Sequence, residues 1–389
     1  MSLSTGNRLK WVKQSEIRNM SIECEKHAGI NLSQGVCDLE VPSIVAQGAK
    51  QAIDDGINSY TRYDGLNELK VALAKRQKAF SGMEIDPEKE IVVSSGATGA
   101  LFSTFFALLS AGDEVILFEP YYGYHAINLV STLAVPVYVP MKPPDWTFSR
   151  EDLDNVLTDK TKAILINTPG NPSGKVFSME ELKILSDFAI ENDLFVFTDE
   201  IYEYFVYDGR KHIPPASLPG MRERTIMISG LSKTYSITGW RIGYVICDAK
   251  WSTAIGYFSD MLYACAPAPL QMGVAMGLMQ LGSEFYDDIS KAYQKKRDRI
   301  CDALNTAGLT PYVPQGAYYV LCDISGIPGS SGKEKVMHLL RQTKVASVPG
   351  EAFYHDAAGD NLARFCFAKD DAVLDEACRR LESYGRKNQ

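Results

Sequence analysis

The chain has 389 residues, 46% of them hydrophobic and 23% charged, with a formal charge of −8. A chain of this length buries most of its apolar surface without disulfide or metal staples, and its acidic balance argues against a nucleic-acid-binding surface. Cys24, Cys37, Cys247, Cys265, Cys301, Cys322, Cys366 and Cys378 are scattered without a CxxC pair, and the five histidines form no HExxH pattern. This usage predicts reduced, mostly buried thiols in a cytoplasmic protein with no structural metal.

The N-terminal stretch is polar and lacks the apolar core of a signal peptide. Its first 45 residues are expected to join a smaller domain formed mainly by residues 285–389, with residues 46–284 as the large domain. Three stretches, Ser94–Gly112, Tyr121–Met141 and Met261–Ser283, carry no Asp, Glu, Lys or Arg and are long enough to raise a membrane question. A glycine-rich turn opens the first, Pro136 and Pro140 interrupt the second, and Pro267 and Pro269 interrupt the third. All three are therefore expected inside a soluble protein with no membrane partner.

From about residue 90 to 247, short apolar runs alternate with amphipathic stretches. The runs are Ile91–Val93, Glu114–Phe118, Val135–Val139, Ala163–Asn167, Leu194–Thr198, Thr225–Ser229 and Gly243–Cys247. Between them, Ser178–Asn192 reads as a helix opened by a capping box of Ser178 and Glu181. Apolar strands separated by helices predict an α/β fold with a mostly parallel sheet covered on both faces. The last hundred residues change character: a charged helix (Phe285–Ala307), short strands near Tyr318–Asp323 and Ala363–Phe367, then a helix from Asp371. They predict the appended α+β domain.

In open α/β sheets, ligands sit beyond the carboxyl ends of the strands. The first run is followed by Ser94-Ser95-Gly96-Ala97-Thr98-Gly99, the second by Tyr121-Tyr122, and the fourth by Asn167 to Pro172. The next two are followed by Asp199-Glu200-Ile201-Tyr202 and Gly230-Leu231-Ser232-Lys233, with Arg241 eight residues on. Each signal alone has an ordinary reading. Asp199 caps a helix equally well, Lys233 suits a solvated surface, Arg241 suits an ion pair, and Asn171-Pro172 is a turn dipeptide. Together they match one cofactor, pyridoxal phosphate. It needs an amine for a covalent link, an acid at its ring nitrogen, an anion site for its phosphate and an aromatic face. Lys233, Asp199, the Gly96–Thr98 loop with Arg241, and Tyr122 fill those roles, with Asn171 and Tyr202 at the phenolic oxygen.

The motifs NTPGNPSG, DEIY, SKTYSITGWRIGY and RFCF then carry a resemblance over essentially the whole chain. The sequence resembles the fold-type-I, class I/II aminotransferases, and within them it is similar to kynurenine aminotransferases and glutamine transaminase K. The resemblance implies a ping-pong exchange of an amino group between an L-amino acid and a 2-oxo acid. It implies Lys233 as the covalent lysine, Asp199 at the ring nitrogen, and Ser232 with Arg241 around the phosphate. It further implies that Arg364 takes the substrate α-carboxylate with Asn171 and Gly35, and that Tyr60 reaches the neighbouring subunit's phosphate in a homodimer.

Two positions depart from common family patterns. Gly230 stands where many relatives have a phosphate-binding serine, and Thr98 stands where prokaryotic-type aspartate aminotransferases have a lysine for a distal carboxylate. The second departure leans toward aromatic, sulfur-containing or glutamine-like donors. An aspartate-type enzyme, a cysteine-conjugate or cystathionine β-lyase on the same scaffold, and a non-catalytic ligand sensor are the alternatives. A nucleotide-binding enzyme is disfavoured because GxxxxGK[ST] is absent and no GxGxxG follows Val93.

Overall fold

The computed structural model describes residues 4–388 apart from residues 13 and 38. Its centre is a seven-stranded sheet of β1 (Ile91–Ser95), β2 (Glu114–Glu119), β3 (Val135–Pro140), β4 (Thr161–Asn167), β5 (Phe195–Asp199), β6 (Thr225–Ser229) and β7 (Ile242–Ile246). The strand order is β1-β7-β6-β5-β4-β2-β3, parallel throughout except that β7 runs antiparallel to both of its neighbours. The apolar runs exist because the sheet is covered on both sides. On β2, Val115 and Leu117 join a core with Phe105, Leu165 and Phe197, while Ile116 and Phe118 join another with Ile164, Val196 and Phe188.

Helices longer than eight residues are, in chain order, α1 (Glu16–Lys26), α2 (Ser43–Asp54), α3 (Asn67–Ser81), α4 (Gly96–Leu108), α5 (Gly123–Ser131) and α6 (Met179–Glu191). They continue as α7 (Ala249–Tyr263), α8 (Ala268–Gln280), α9 (Ser283–Thr306), α10 (Gly332–Thr343) and α11 (Asp371–Asn388). The capping box of α6 forms: Ser178 Oγ accepts from the Glu181 N–H at 3.2 Å, and Glu181 accepts from the Ser178 N–H at 2.9 Å. Helices α2 and α8 pack closely because Gly273 lies at their contact. A Cβ there would sit 2.7 Å from the Val45 carbonyl oxygen. None of the described helices is long and apolar enough to cross a membrane. The three charge-free stretches form the end of β1 with α4, then α5 with β3, and the end of α7 with α8.

A second, antiparallel sheet is built from β8 (Thr310–Tyr312), β9 (Tyr319–Asp323), β10 (Val348–Pro349) and β11 (Leu362–Cys366), in the order β10-β11-β9-β8. Residues Ile30–Asn31 pair in parallel with Val345–Ala346, so the N-terminal segment is stitched to the C-terminal part of the chain. Helix α9 begins beside the large sheet, where Phe285 and Tyr286 meet Tyr235 and Tyr204, and its later turns pack on α11.

The turn expected after Val93 is shorter than its sequence suggests. Ser94 and Ser95 extend β1, pairing with Gly243 and Ile242, and α4 starts at once on Gly96. Gly96 has φ +70°, a left-handed value that lets the chain reverse into the helix without a connecting loop. Elsewhere the strand ends differ from expectation by one or two residues, as at Phe195–Asp199 for Leu194–Thr198 and Ile242–Ile246 for Gly243–Cys247.

Candidate active site

A cavity of about 430 Å³ opens at the carboxyl ends of the large-sheet strands, walled on its far side by Gly35 and by Tyr319 and Arg364 of the small sheet. Every site residue singled out from sequence lines it except Gly96, which stands behind Arg241, and Tyr60, which is 87% exposed.

Strand β5 ends on Asp199, buried against α5. One carboxylate oxygen lies 2.9 Å from Nε2 of fully buried His125, and the other accepts from the Ile201 N–H at 3.3 Å. At the end of β4, Asn167 Nδ2 donates to the Asp199 carbonyl at 2.8 Å while its Oδ1 accepts from the Asn171 N–H at 2.7 Å. The two strand ends are thereby locked to each other. Tyr122 starts α5 with its ring edge-on to His125, 5.4 Å between centroids. Tyr202 meets Tyr319 hydroxyl to hydroxyl at 2.9 Å, and burial holds both phenols above their ordinary pKa, so both are neutral donors.

The Lys233 amine donates to the Gly35 carbonyl at 3.1 Å. Loss of water around it pushes its pKa below the ordinary lysine value, with Cys37, Cys366 and Asp199 pulling weakly the other way. Arg241 sits in a left-handed conformation (φ +59°) that turns its guanidinium back onto the start of α4. There it donates to the Thr238 carbonyl at 3.0 Å and the Ser95 carbonyl at 3.4 Å. A helix N-terminus and a guanidinium at one spot make an anion site. Ser232 Oγ lies close by, 3.5 Å from the Ile242 carbonyl.

Arg364 is wholly buried on β11. Its Nη1 donates to Asn171 Oδ1 at 2.8 Å and its Nη2 to the Ser33 carbonyl, and it lies over the rings of Tyr319 and Phe353. Its Nε has no hydrogen-bond partner among the described residues. A buried guanidinium with an open donor is matched to an anionic guest. The cavity therefore suits pyridoxal phosphate together with a carboxylate substrate, offering an amine, a fixed carboxylate, an anion site and a second guanidinium.

Sequence reasoning missed His125, Asn167 and Tyr319. His125 falls three residues after Tyr122, on the same helical face, and that spacing is the one signal that pointed to it. Gly230 has a packing reason: a Cβ would sit 2.8 Å from the Ile242 carbonyl oxygen, so a serine requires the backbone to shift.

A family model for aminotransferases of class I and II matches residues 28–381. The chain belongs to that family. This aminotransferase, like the family, uses pyridoxal 5′-phosphate. It is 35% identical to kynurenine–oxoglutarate transaminase 3 of Rattus norvegicus, over 92% of this chain and 87% of that protein. It is equally identical to an aspartate aminotransferase of Pyrococcus abyssi, over the full length of both. The solved N-succinyldiaminopimelate aminotransferase of Mycobacterium tuberculosis superposes with a TM-score of 0.94 at 32% identity, covering 98% of this chain and 100% of that one.

Proposed function

We propose that this aminotransferase holds its coenzyme on Lys233 and exchanges amino groups between an L-amino acid and a 2-oxo acid in two ping-pong half-reactions. The carrying observation is the desolvated Lys233 amine in one cavity with a carboxylate fixed by His125 and two arginines. When bound, pyridoxal phosphate supplies the electron sink for breaking the substrate Cα–H bond.

The chain's residues do the rest. Lys233, with its proton affinity lowered by burial, would take the proton from the substrate Cα and deliver it to the coenzyme carbon, and the second half-reaction would run the same transfer in reverse. Asp199, oriented by His125, keeps a negative charge where a protonated ring nitrogen needs one. Arg241, Ser232 and the backbone at Gly96, Ala97 and Thr98 hold the phosphate; Tyr122 covers the ring; Asn171 and Tyr202 donate to its phenolic oxygen. Arg364, with Asn171 and the backbone at Gly35, clamps the α-carboxylate and so fixes which face of Cα meets Lys233.

Residues 1–45 and 285–389 form the small domain in this reading, and residues 46–284 the large one. The pairing of Ile30–Asn31 with Val345–Ala346 and the packing of α2 on α8 support that division. The protein is a homodimer in which Tyr60 serves the neighbouring site. Tyr60 is exposed beside Tyr63, which packs on Tyr257, and the α7 surface there also exposes Met261 and Leu262. None of the eight cysteines is in a disulfide among the described residues, which fits a reducing, cytoplasmic setting. Donors are aromatic, sulfur-containing or glutamine-like, supported by Thr98 in place of a cation and by the name of the kynurenine-type relative.

Borohydride reduction of the coenzyme-loaded protein followed by peptide mapping should label Lys233, and a donor panel read by coenzyme absorbance should rank the substrates. No label at Lys233 in a saturated sample overturns the proposal.

A further inference from the structure

We infer that Glu203 and Arg76 are positioning residues for the reaction: their buried ion pair fixes the turn that aims the Tyr202 hydroxyl at the coenzyme's phenolic oxygen. The inference rests on the role proposed above for Tyr202. Three carboxylates, Asp199, Glu200 and Glu203, fall at the end of β5 and in the turn that follows it, and all are buried. Each faces a partner from a different part of the chain. Asp199 meets His125 of α5, Glu200 Oε2 lies 2.6 Å from His212 Nε2, and Glu203 Oε1 lies 3.0 Å from Arg76 Nη2 of α3. Asp199 and Tyr202 line the active-site cavity, whereas Glu200, Glu203, His212 and Arg76 stand behind it.

Glu200 has further support from the sheet, since its N–H donates to the Ile228 carbonyl at 2.8 Å and its carbonyl accepts from Ser229 Oγ at 3.2 Å. The backbone of Glu203 bonds only within the turn, its N–H donating to the Glu200 carbonyl at 3.0 Å, so its side chain is what ties the turn to α3. Tyr202 is the residue before it, and its carbonyl accepts from the Phe205 N–H at 2.8 Å. Arg76 is gripped in turn: it lies over the rings of Phe80 and Tyr204, and its Nε donates to the Tyr204 hydroxyl. The terminal nitrogens of Arg76 and both Glu203 oxygens make no well-aligned hydrogen bond among the described residues, so charge holds the pair together. Burial keeps the Glu203 carboxyl above its ordinary pKa even beside Arg76. Apolar side chains of similar volume would fill this space without that loss of solvation, so the pair serves placement rather than stability.

The test follows the absorbance of the coenzyme-loaded enzyme as a function of pH. A donor on the phenolic oxygen stabilises its negative charge and so weakens the proton's hold on the Lys233 nitrogen joined to the coenzyme. Tyr202→Phe should therefore raise the absorbance midpoint by about one pH unit, the value of one hydrogen bond to a charged oxygen. Arg76→Met combined with Glu203→Leu removes both charges and should raise the midpoint by about half a unit or more, with a denaturation midpoint near that of the wild type. In a Tyr202→Phe background the same two changes should add nothing, because they act through Tyr202. Glu203→Gln should raise the midpoint in the same direction and carries the test if the combined variant does not fold. A midpoint unmoved by the Glu203 and Arg76 changes, or a rise that adds in full to that of Tyr202→Phe, overturns the inference alone. A midpoint unmoved by Tyr202→Phe overturns the role of Tyr202 and the inference with it.

Discussion

The amine of Lys233 and the carbonyl of Gly35 meet at 3.1 Å, joining the end of a central strand to a segment 198 residues earlier in the chain. The same carbonyl accepts from Tyr318 at 3.2 Å, so the N-terminal segment forms one wall of the catalytic cavity. Gly35 has no room for a side chain, because a Cβ would overlap the Tyr319 hydroxyl that bonds to Tyr202. Gly35→Ala should therefore displace Tyr319, which is buried and has little space to move into. Overpacking of this kind costs about 1–3 kcal/mol. Equilibrium denaturation should show that loss, and carboxylate substrates should bind more weakly. Wild-type stability together with wild-type affinity would mean that Tyr319 yields freely.

Burial lowers the Lys233 pKa from its ordinary 10.5, so in the coenzyme-free protein the folded state holds fewer protons at this site than the unfolded chain. That difference exists only between the lowered native value and the ordinary one. Across that interval stability should rise with pH, because the cost of burying the charge is present below it and gone above it. Lys233→Met removes the group and should flatten the rise. Denaturation midpoints of both proteins from neutral pH to pH 10 decide the matter, and parallel curves contradict it.

Sequence pattern located the sheet well where burial is two-sided, because strands such as Glu114–Glu119 are apolar on both faces and have no competing reading. It failed at Ser94 and Ser95, whose polarity suggests a turn although their backbones continue β1. Buried Ser94 satisfies its hydroxyl on the Gly96 carbonyl, a local bond that hydropathy cannot register. His125 was hidden for a different reason: its partner Asp199 lies 74 residues away, and only the folded chain brings them together. Arg364 carries no signal of its own in the sequence, and its assignment came from family resemblance. Register explains it, since Arg364 lies between Leu321 and Val348 in the middle of the small sheet and turns inward.

Gly96 carries a backbone role and a steric one at the same position. Its φ of +70° disfavours any side chain by about 1–2 kcal/mol. A Cβ would also overlap the Arg241 guanidinium. Gly96→Ala should push Arg241 away from the start of α4 and weaken coenzyme binding by about tenfold or more, the value of a charge-assisted hydrogen bond. Equilibrium dialysis against pyridoxal phosphate measures this. Unaltered retention would remove Arg241 from the phosphate site.

Arg364→Lys separates geometry from charge. The arginine serves Asn171 and Ser33 through its two terminal nitrogens, keeps Nε open, and lies over two rings. A lysine retains the positive charge but is a single point without the planar fork, so it cannot hold Asn171 and a carboxylate in the same plane. Affinity should fall by about tenfold or more for the amino acid and the 2-oxo acid alike, because both present the same carboxylate. Coenzyme absorbance should change far less than affinity, since among the described residues Arg364 makes no hydrogen bond to Lys233 and reaches the phenolic oxygen only through Asn171. Half-reaction titrations from both directions check this, and unchanged affinity for either partner would assign the carboxylate to another donor.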